Sequence, residues 1–125
     1  MRFSSERPIF AQIEELLVGQ VMDGRLGPGD RLPSARELAA SLEVNPNTAS
    51  RALQRLADAG LARIERGTGY FIADQGPALA KSERRQRFFA EELPRLFQRM
   101  DELGVGLAEI SDRYAARSGQ NGAAT

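Results

Sequence analysis

The chain contains no cysteine and no histidine, and lysine occurs once, at Lys81. Without cysteine, neither a disulfide framework nor a thiolate metal site can form. Without histidine, the usual general base, the usual zinc ligand and every Ser-His or Cys-His nucleophile pair are missing. Enzymatic readings shrink largely to carboxylate chemistry, and no paired-carboxylate constellation stands out. Long apolar runs are absent too. The opening MRFSSERPIF has no signal-peptide core, and nothing later approaches the roughly 18 apolar residues that a membrane span requires. The expectation is a soluble, unexported, cytoplasmic protein that is not an enzyme, with no metal, no cofactor and no membrane partner.

Net charge is lacking as well, with 17 basic residues against 17 acidic ones. The whole-chain field therefore argues neither for nor against a polyanionic partner, and distribution matters more. Between Asn47 and Gly67 stand Arg51, Arg55, Arg63 and Arg66 against Asp58 and Glu65, a mild local basic excess. Its cations are all arginine, which can fork onto a guanine edge or hold a phosphate. A chain of 125 residues with a hydrophobic fraction of 42% is one compact domain, or a small domain with an appendage.

What is present is strong helical periodicity. Ile9, Ile13, Leu16, Leu17 and Val21 step by threes and fours through PIFAQIEELLVGQVMD, which predicts an amphipathic helix with Pro8 in its first turn and Gly24 at its end. RLGPGDRLP reads as a turn, with Arg31 and Leu32 at most a very short strand. SARE at Ser34 is a capping box that starts a second, short helix ending near Leu42. A third follows almost at once, with Ala49, Ala52, Leu53, Leu56 and Ala57 on its apolar face and Asn45 or Asn47 as its cap. Two short helices joined so tightly form a helix-turn-helix. Gly60 ends the third helix, and LARIERGTGYFIAD predicts a two-stranded hairpin, or wing, with Gly67-Thr68-Gly69 at its tip.

Gly76 and Pro77 would break any regular element, so a domain boundary is expected there. Beyond it, residues 79 to 103 read as a helix whose stripe includes Phe88, Phe89, Leu93, Leu96, Phe97, Met100 and Leu103, kinked or split at Pro94. A shorter helix, LAEISDRYAAR, comes after Gly104 and Gly106. The fold class is thus mainly α with a small β-hairpin. Its expected divisions are a winged helix-turn-helix domain over 1–75, a short two-helix dimerisation region over 76–118, and a disordered tail over 119–125.

The polar cluster in EVNPNTASRALQRL decides function. By itself it reads equally as a capped, solvated helix start and as a surface for a polyanion, because Asn47 suits adenine and Arg51 guanine. A helix N-terminus would also offer free backbone N–H groups to a phosphate.

The run GDRLPSARELAASLEVNPNTASRALQRLADAGLARIERGTGYFI closely resembles the winged helix-turn-helix domain of the GntR family of bacterial transcription regulators, and residues 8 to 73 are covered. The NPNT wording and the short helical tail look most like the YtrA-type subfamily. Only residues 74 to 125 follow the wing, too few for the large pyridoxal-phosphate domain of the family's aminotransferase-like branch. The resemblance implies a homodimer on double-stranded DNA, acting as a repressor at a palindromic operator, with control of a transporter operon as a further implication and any small-molecule effector unknown. It implies DNA contact by Arg36, by Asn45, Asn47, Thr48, Ser50 and Arg51 at the third helix, and by Arg66, Gly67 and Thr68 in the wing. Many relatives have arginine where this chain has Pro46 and Ser50, which moves base readout toward Asn47 and Arg51.

The apolar groups of the tail are too many for a lone kinked helix to hide. A second subunit is the expected cover, with dimerisation through Phe88, Phe89, Leu93, Leu96, Phe97, Met100 and Leu103. A ligand pocket among the phenylalanines is the sharper alternative. From another functional class, a winged-helix protein-interaction module that binds no DNA also fits the neutral charge.

Overall fold

The structure, a computed structural model, describes residues 3–120. In chain order these form α1 (Ile9–Met22), α2 (Ala35–Leu42), α3 (Pro46–Asp58), β1 (Ala62–Glu65), β2 (Gly69–Ile72), α4 (Gly76–Arg87), a π-helical turn (Phe88–Glu92), α5 (Leu93–Leu103) and α6 (Leu107–Gln120). The chain divides into two compact units, Met1–Arg84 and Arg85–Thr125. No helix among the described residues is long and apolar enough to cross a membrane.

In the first unit the apolar stripes meet as their spacing requires. Ile13 and Leu17 of α1, Leu53 of α3, Leu32 and Ile72 are the largest fully buried side chains. Ala49 and Ala52, both wholly buried, put methyl groups where larger side chains would hold α3 away from its neighbours. Pro8 sits just ahead of α1, one residue earlier than its expected place in the first turn, and its carbonyl accepts from the Ala11 and Gln12 N–H groups. Buried Gln12 ties down the preceding segment: its amide donates to the Ser4 and Arg7 carbonyls, and its oxygen accepts from the Ser4 N–H. That clamp has no signature in the periodicity.

The capping box of α2 is complete, with Glu37 N–H donating to the Ser34 hydroxyl at 3.1 Å and Ser34 N–H donating to Glu37 Oε1 at 2.9 Å. Glu43 then turns the chain through left-handed backbone at φ 56°, the only such non-glycine among the described residues. A side chain there carries a cost of about 1 kcal/mol or more. This reversal lets α3 start with only three residues between it and the end of α2. Asn45, rather than Asn47, caps α3, which leaves Pro46 at the first helical position where its missing N–H costs nothing.

Backbone and side-chain hydrogen bonds from Ser34, then Arg31, hold the Glu37 carboxyl below the usual glutamate range. Its folded value lies below its unfolded one, so its stabilising contribution is present above the ordinary glutamate pKa and is lost as pH falls through the lower folded value. Glu37→Gln should therefore show a shallower loss of urea stability than the parent between about pH 5 and pH 3. Identical acid limbs would contradict this.

Strands β1 and β2 pair antiparallel from Ala62↔Ile72 to Glu65↔Gly69, and Gly67 at φ 78° supplies the turn that a side chain would strain. The expected short strand at Arg31 is a single bridge, Arg31↔Phe71, beside which Leu32 N–H donates to the Tyr70 carbonyl and Ile72 N–H to the Asp30 carbonyl. The Gly76-Pro77 pair opens α4. A Cβ on Gly76 would lie 2.8 Å from the Leu61 carbonyl oxygen, so only glycine lets the helix start this close to the hairpin. Ala80 is fully buried, and Arg84 pairs with Glu15 of α1 at 3.2 Å.

In the second unit the helix is split at Pro94, as the sequence predicts, but through five residues of π-helix ahead of the proline. Proline has no N–H for the carbonyl four residues back and its ring crowds that carbonyl, so widening the turn relieves both faults. Gly104 at φ 70° ends α5. The last helix extends to Gln120, taking in residues 119 and 120 of the stretch expected to be tail, while 121–125 lie outside the described residues. No side chain from 85 to 117 is buried.

Candidate nucleic-acid interface

Helix α3 is two-faced. Ala49, Ala52, Leu53 and Leu56 are buried, while Asn47, Ser50, Arg51, Gln54 and Arg55 are exposed and Thr48 is half-buried. The helix therefore presents a continuous polar face from its first turn onward. Its backbone is less available than a bare N-terminus. Pro46 has no N–H, Asn47 N–H donates to Asn45 Oδ1 at 2.8 Å, and the Thr48 and Ala49 N–H groups donate to the Asn45 carbonyl. The expectation of free backbone donors for a phosphate is thus corrected: the Asn45 cap occupies them, and any anion must be met by side chains.

The arginines sort by what they touch. Arg55 Nε donates to Glu14 Oε2 at 2.7 Å, and that bond raises its pKa above the ordinary arginine value. Arg63 pairs with Glu65 and lies over the Phe71 ring. Arg31 bridges Glu37, at 3.3 Å, and the Thr68 carbonyl at the wing tip, at 3.4 Å. By contrast, Arg36 on α2 and Arg66 in the wing have no hydrogen-bond or ion-pair partner among the described residues. Arg51 has none either, its only contact of this kind being the Phe10 ring, 3.9 Å from its Cζ. A cation already paired with a carboxylate offers an anion little net attraction; an unpaired one offers its full charge.

The wing tip, Arg66, Gly67 and Thr68, is exposed throughout. Tyr70 OH donates to Gln54 Oε1 at 3.3 Å, which connects β2 to the polar face of α3. All the residues singled out for DNA contact thus lie in the first unit, on α2, on the first two turns of α3 and its cap, and at the wing tip. Four residues that shape this surface were not singled out by sequence: Phe10, Glu14, Arg31 and Tyr70. Phe10 and Glu14 stand four apart at the rim of the α1 stripe, a spacing that marks a shared face without naming its partner.

In the second unit the residues expected at a dimer contact lie in the π turn, Phe88 and Phe89, and along α5, namely Leu93, Leu96, Phe97, Met100 and Leu103. Leu93 and Met100 are half-buried and the rest exposed, Phe97 by 51% and Leu103 by 69%. On α6, Leu107 and Tyr114 extend this apolar exposure. An open groove of about 290 Å³ runs between α5 and α6, lined by Leu96, Arg99, Met100, Leu103, Val105 and Ile110.

Comparison with known proteins returns one family over this surface. Residues 10–72 match the bacterial regulatory proteins of the gntR family. The chain is similar to the HTH-type transcriptional regulator YhcF of Bacillus subtilis (strain 168), 34% identical over 87% of this chain and 88% of that one. It is also similar to the HTH-type transcriptional repressor YtrA of the same organism, 32% identical over 86% of this chain and 82% of that one. Among solved structures, a transcriptional regulator from Oenococcus oeni superposes with a TM-score of 0.74 at 25% identity, covering 93% of this chain and 95% of the other.

Proposed function

Since the chain belongs to the gntR family of bacterial regulatory proteins, as a transcription regulator with a winged helix-turn-helix DNA-binding domain, we propose that it is a cytoplasmic homodimeric repressor that occludes a palindromic operator. The observation that carries the DNA-reading part is the exposed face of α3, where Asn47, Ser50 and Arg51 stand clear of the core. With Arg36 and Arg66 it makes a surface whose guanidinium groups are not neutralised by carboxylates among the described residues. In this reading Asn47 and Arg51 reach base edges in the major groove, Arg36 holds phosphate, and Arg66, Gly67 and Thr68 bring the wing against the minor groove or backbone. Thr48 and Ser50 lie beside the reading residues, and Asn45 keeps the helix start capped.

The dimer part is supported by the second unit, where nothing from 85 to 117 is buried and the apolar stripe of α5 is left uncovered. A two-fold contact would place the two α3 helices roughly one helical turn of DNA, about 34 to 36 Å, apart. Repression is supported by the relative named a transcriptional repressor. Control of a transporter operon is the corresponding proposal for its targets.

Selection of bound duplexes from a random-sequence pool tests the whole reading, since a dimeric reader enriches inverted repeats at one fixed spacing. On a selected duplex, Arg51→Ala should weaken binding by about 1 to 3 kcal/mol and relax preference at one base pair per half-site. Gel shifts with single-base variants of the duplex measure it. An unchanged base profile would remove Arg51 from the reading role.

A further inference from the structure

We propose that Phe10 is a positioning residue for DNA recognition, its ring holding the Arg51 guanidinium by its face so that the N–H edge stays free for a base; this rests on the reading of α3 as the DNA-reading helix. Two pairs meet across the α1–α3 contact. Phe10 and Glu14 stand four residues apart on α1, Arg51 and Arg55 four apart on α3, so each pair lies along one side of its helix. The pairs treat their arginines differently. Glu14 takes Arg55 through a hydrogen bond at 2.7 Å and so engages its donors and its charge. The Phe10 ring centroid lies 3.9 Å from Arg51 Cζ, attracting the charge through its face while leaving the N–H donors unengaged. It can do so because a ring attracts a guanidinium through its π face, while hydrogen bonding to guanine uses the in-plane N–H groups.

The physical gain lies in what DNA binding no longer has to order. A free arginine side chain carries considerable rotamer entropy, part of which is lost when it docks. Stacking on a ring that is itself half-buried against the core removes much of that freedom beforehand. A carboxylate at position 10 would restrain Arg51 as well, but would occupy the donors that the base needs. The Arg55 Cζ, 5.1 Å from the same ring, completes the arrangement by filling the neighbouring place.

The test uses the full chain and duplexes selected by the parent protein from a random-sequence pool. Phe10→Leu keeps an apolar side chain but removes the π face; Phe10→Tyr keeps the face. We expect Phe10→Leu to lose about three- to tenfold in affinity, with preference relaxed at the base pair that Arg51→Ala relaxes, and Phe10→Tyr to stay within about twofold of the parent. In the Arg51→Ala background Phe10→Leu should add almost nothing. In the DNA-free parent the Arg51 side-chain protons should show an upfield ring-current shift that Phe10→Leu abolishes and Phe10→Tyr retains. The proposal is overturned by unshifted Arg51 protons in the parent, by a Phe10→Leu loss equal at all base pairs, or by additive losses in the double variant. If Arg51→Ala itself changes neither affinity nor base preference, the reading of α3 fails and takes this inference with it. If Arg51→Ala relaxes one base pair and Phe10→Leu does not, this inference alone fails.

Discussion

In the dimer proposed above, Phe97→Glu should turn the dimer into a monomer and reduce affinity for a two-half-site duplex by about 10²- to 10⁴-fold, while leaving the fold of each chain intact. The size of the effect follows from linkage: once one half-site is bound, a tethered second reading head binds at high effective concentration, and a monomer forfeits that gain. The choice of residue follows from exposure. Phe97 is 51% exposed on α5, so its own chain covers only about half of it, and a glutamate there can reach water in the monomer. At a two-fold contact the same substitution occurs twice, removing the apolar burial of two phenyl rings, about 1.5 to 3 kcal/mol each, and bringing two uncompensated carboxylates out of water. Sedimentation at micromolar concentration reads the association state, and gel shifts on full and half operators read the linkage. A persisting dimer would remove the α5 face from the contact. A monomer that still binds the full site as tightly as the parent would separate dimerisation from DNA recognition.

Leu53→Ala should cost about 2 to 5 kcal/mol of unfolding free energy, a large share of the roughly 5 to 15 kcal/mol that holds a domain together. Leu53 is wholly buried in the middle of α3, among the largest core side chains, with Ala49 and Ala52 too small to close the gap it would leave. Urea unfolding measures the loss. The consequence for DNA is indirect but severe, since α3 keeps its polar face outward only while its apolar face is seated. Ser50→Ala, one turn away on the exposed face, is the matched control and should leave the unfolding midpoint within experimental scatter of the parent. A Leu53→Ala loss below about 1 kcal/mol would mean that the core collapses around the deletion more readily than close packing allows.

Both results depend on features of very different visibility in the sequence. Leu53 belongs to a three-and-four stripe that any reader of periodicity finds, and the alanines around it mark a close helix contact. Phe97 belongs to a stripe equally visible, but the stripe does not say whether its own chain covers it. Pro94 shows the intermediate case. Its inability to donate predicts a fault in the helix, and the structure resolves the fault as a π turn starting at Phe88, six residues ahead.

The order of elements, the capping box at Ser34 and Glu37, the tight link between α2 and α3, and the Gly67 turn of the wing are all written in the sequence, because each arises from residues within a few positions of one another. Local chemistry is enough to specify them. The state of several arginines is not local. Arg55 meets Glu14 across 41 positions, Arg31 meets the Thr68 carbonyl across 37, and Arg51 lies on a ring carried by α1. Composition counts these guanidinium groups as alike. The Asn45 cap and the Arg63–Glu65 pair are local, but only when α1 and α3 pack around one core does Glu14 engage Arg55 and the Phe10 ring meet Arg51. The same packing leaves Arg36, Arg51 and Arg66 without a carboxylate partner among the described residues, because Coulomb attraction and hydrogen bonding act over a few ångströms of space, whatever the separation along the chain.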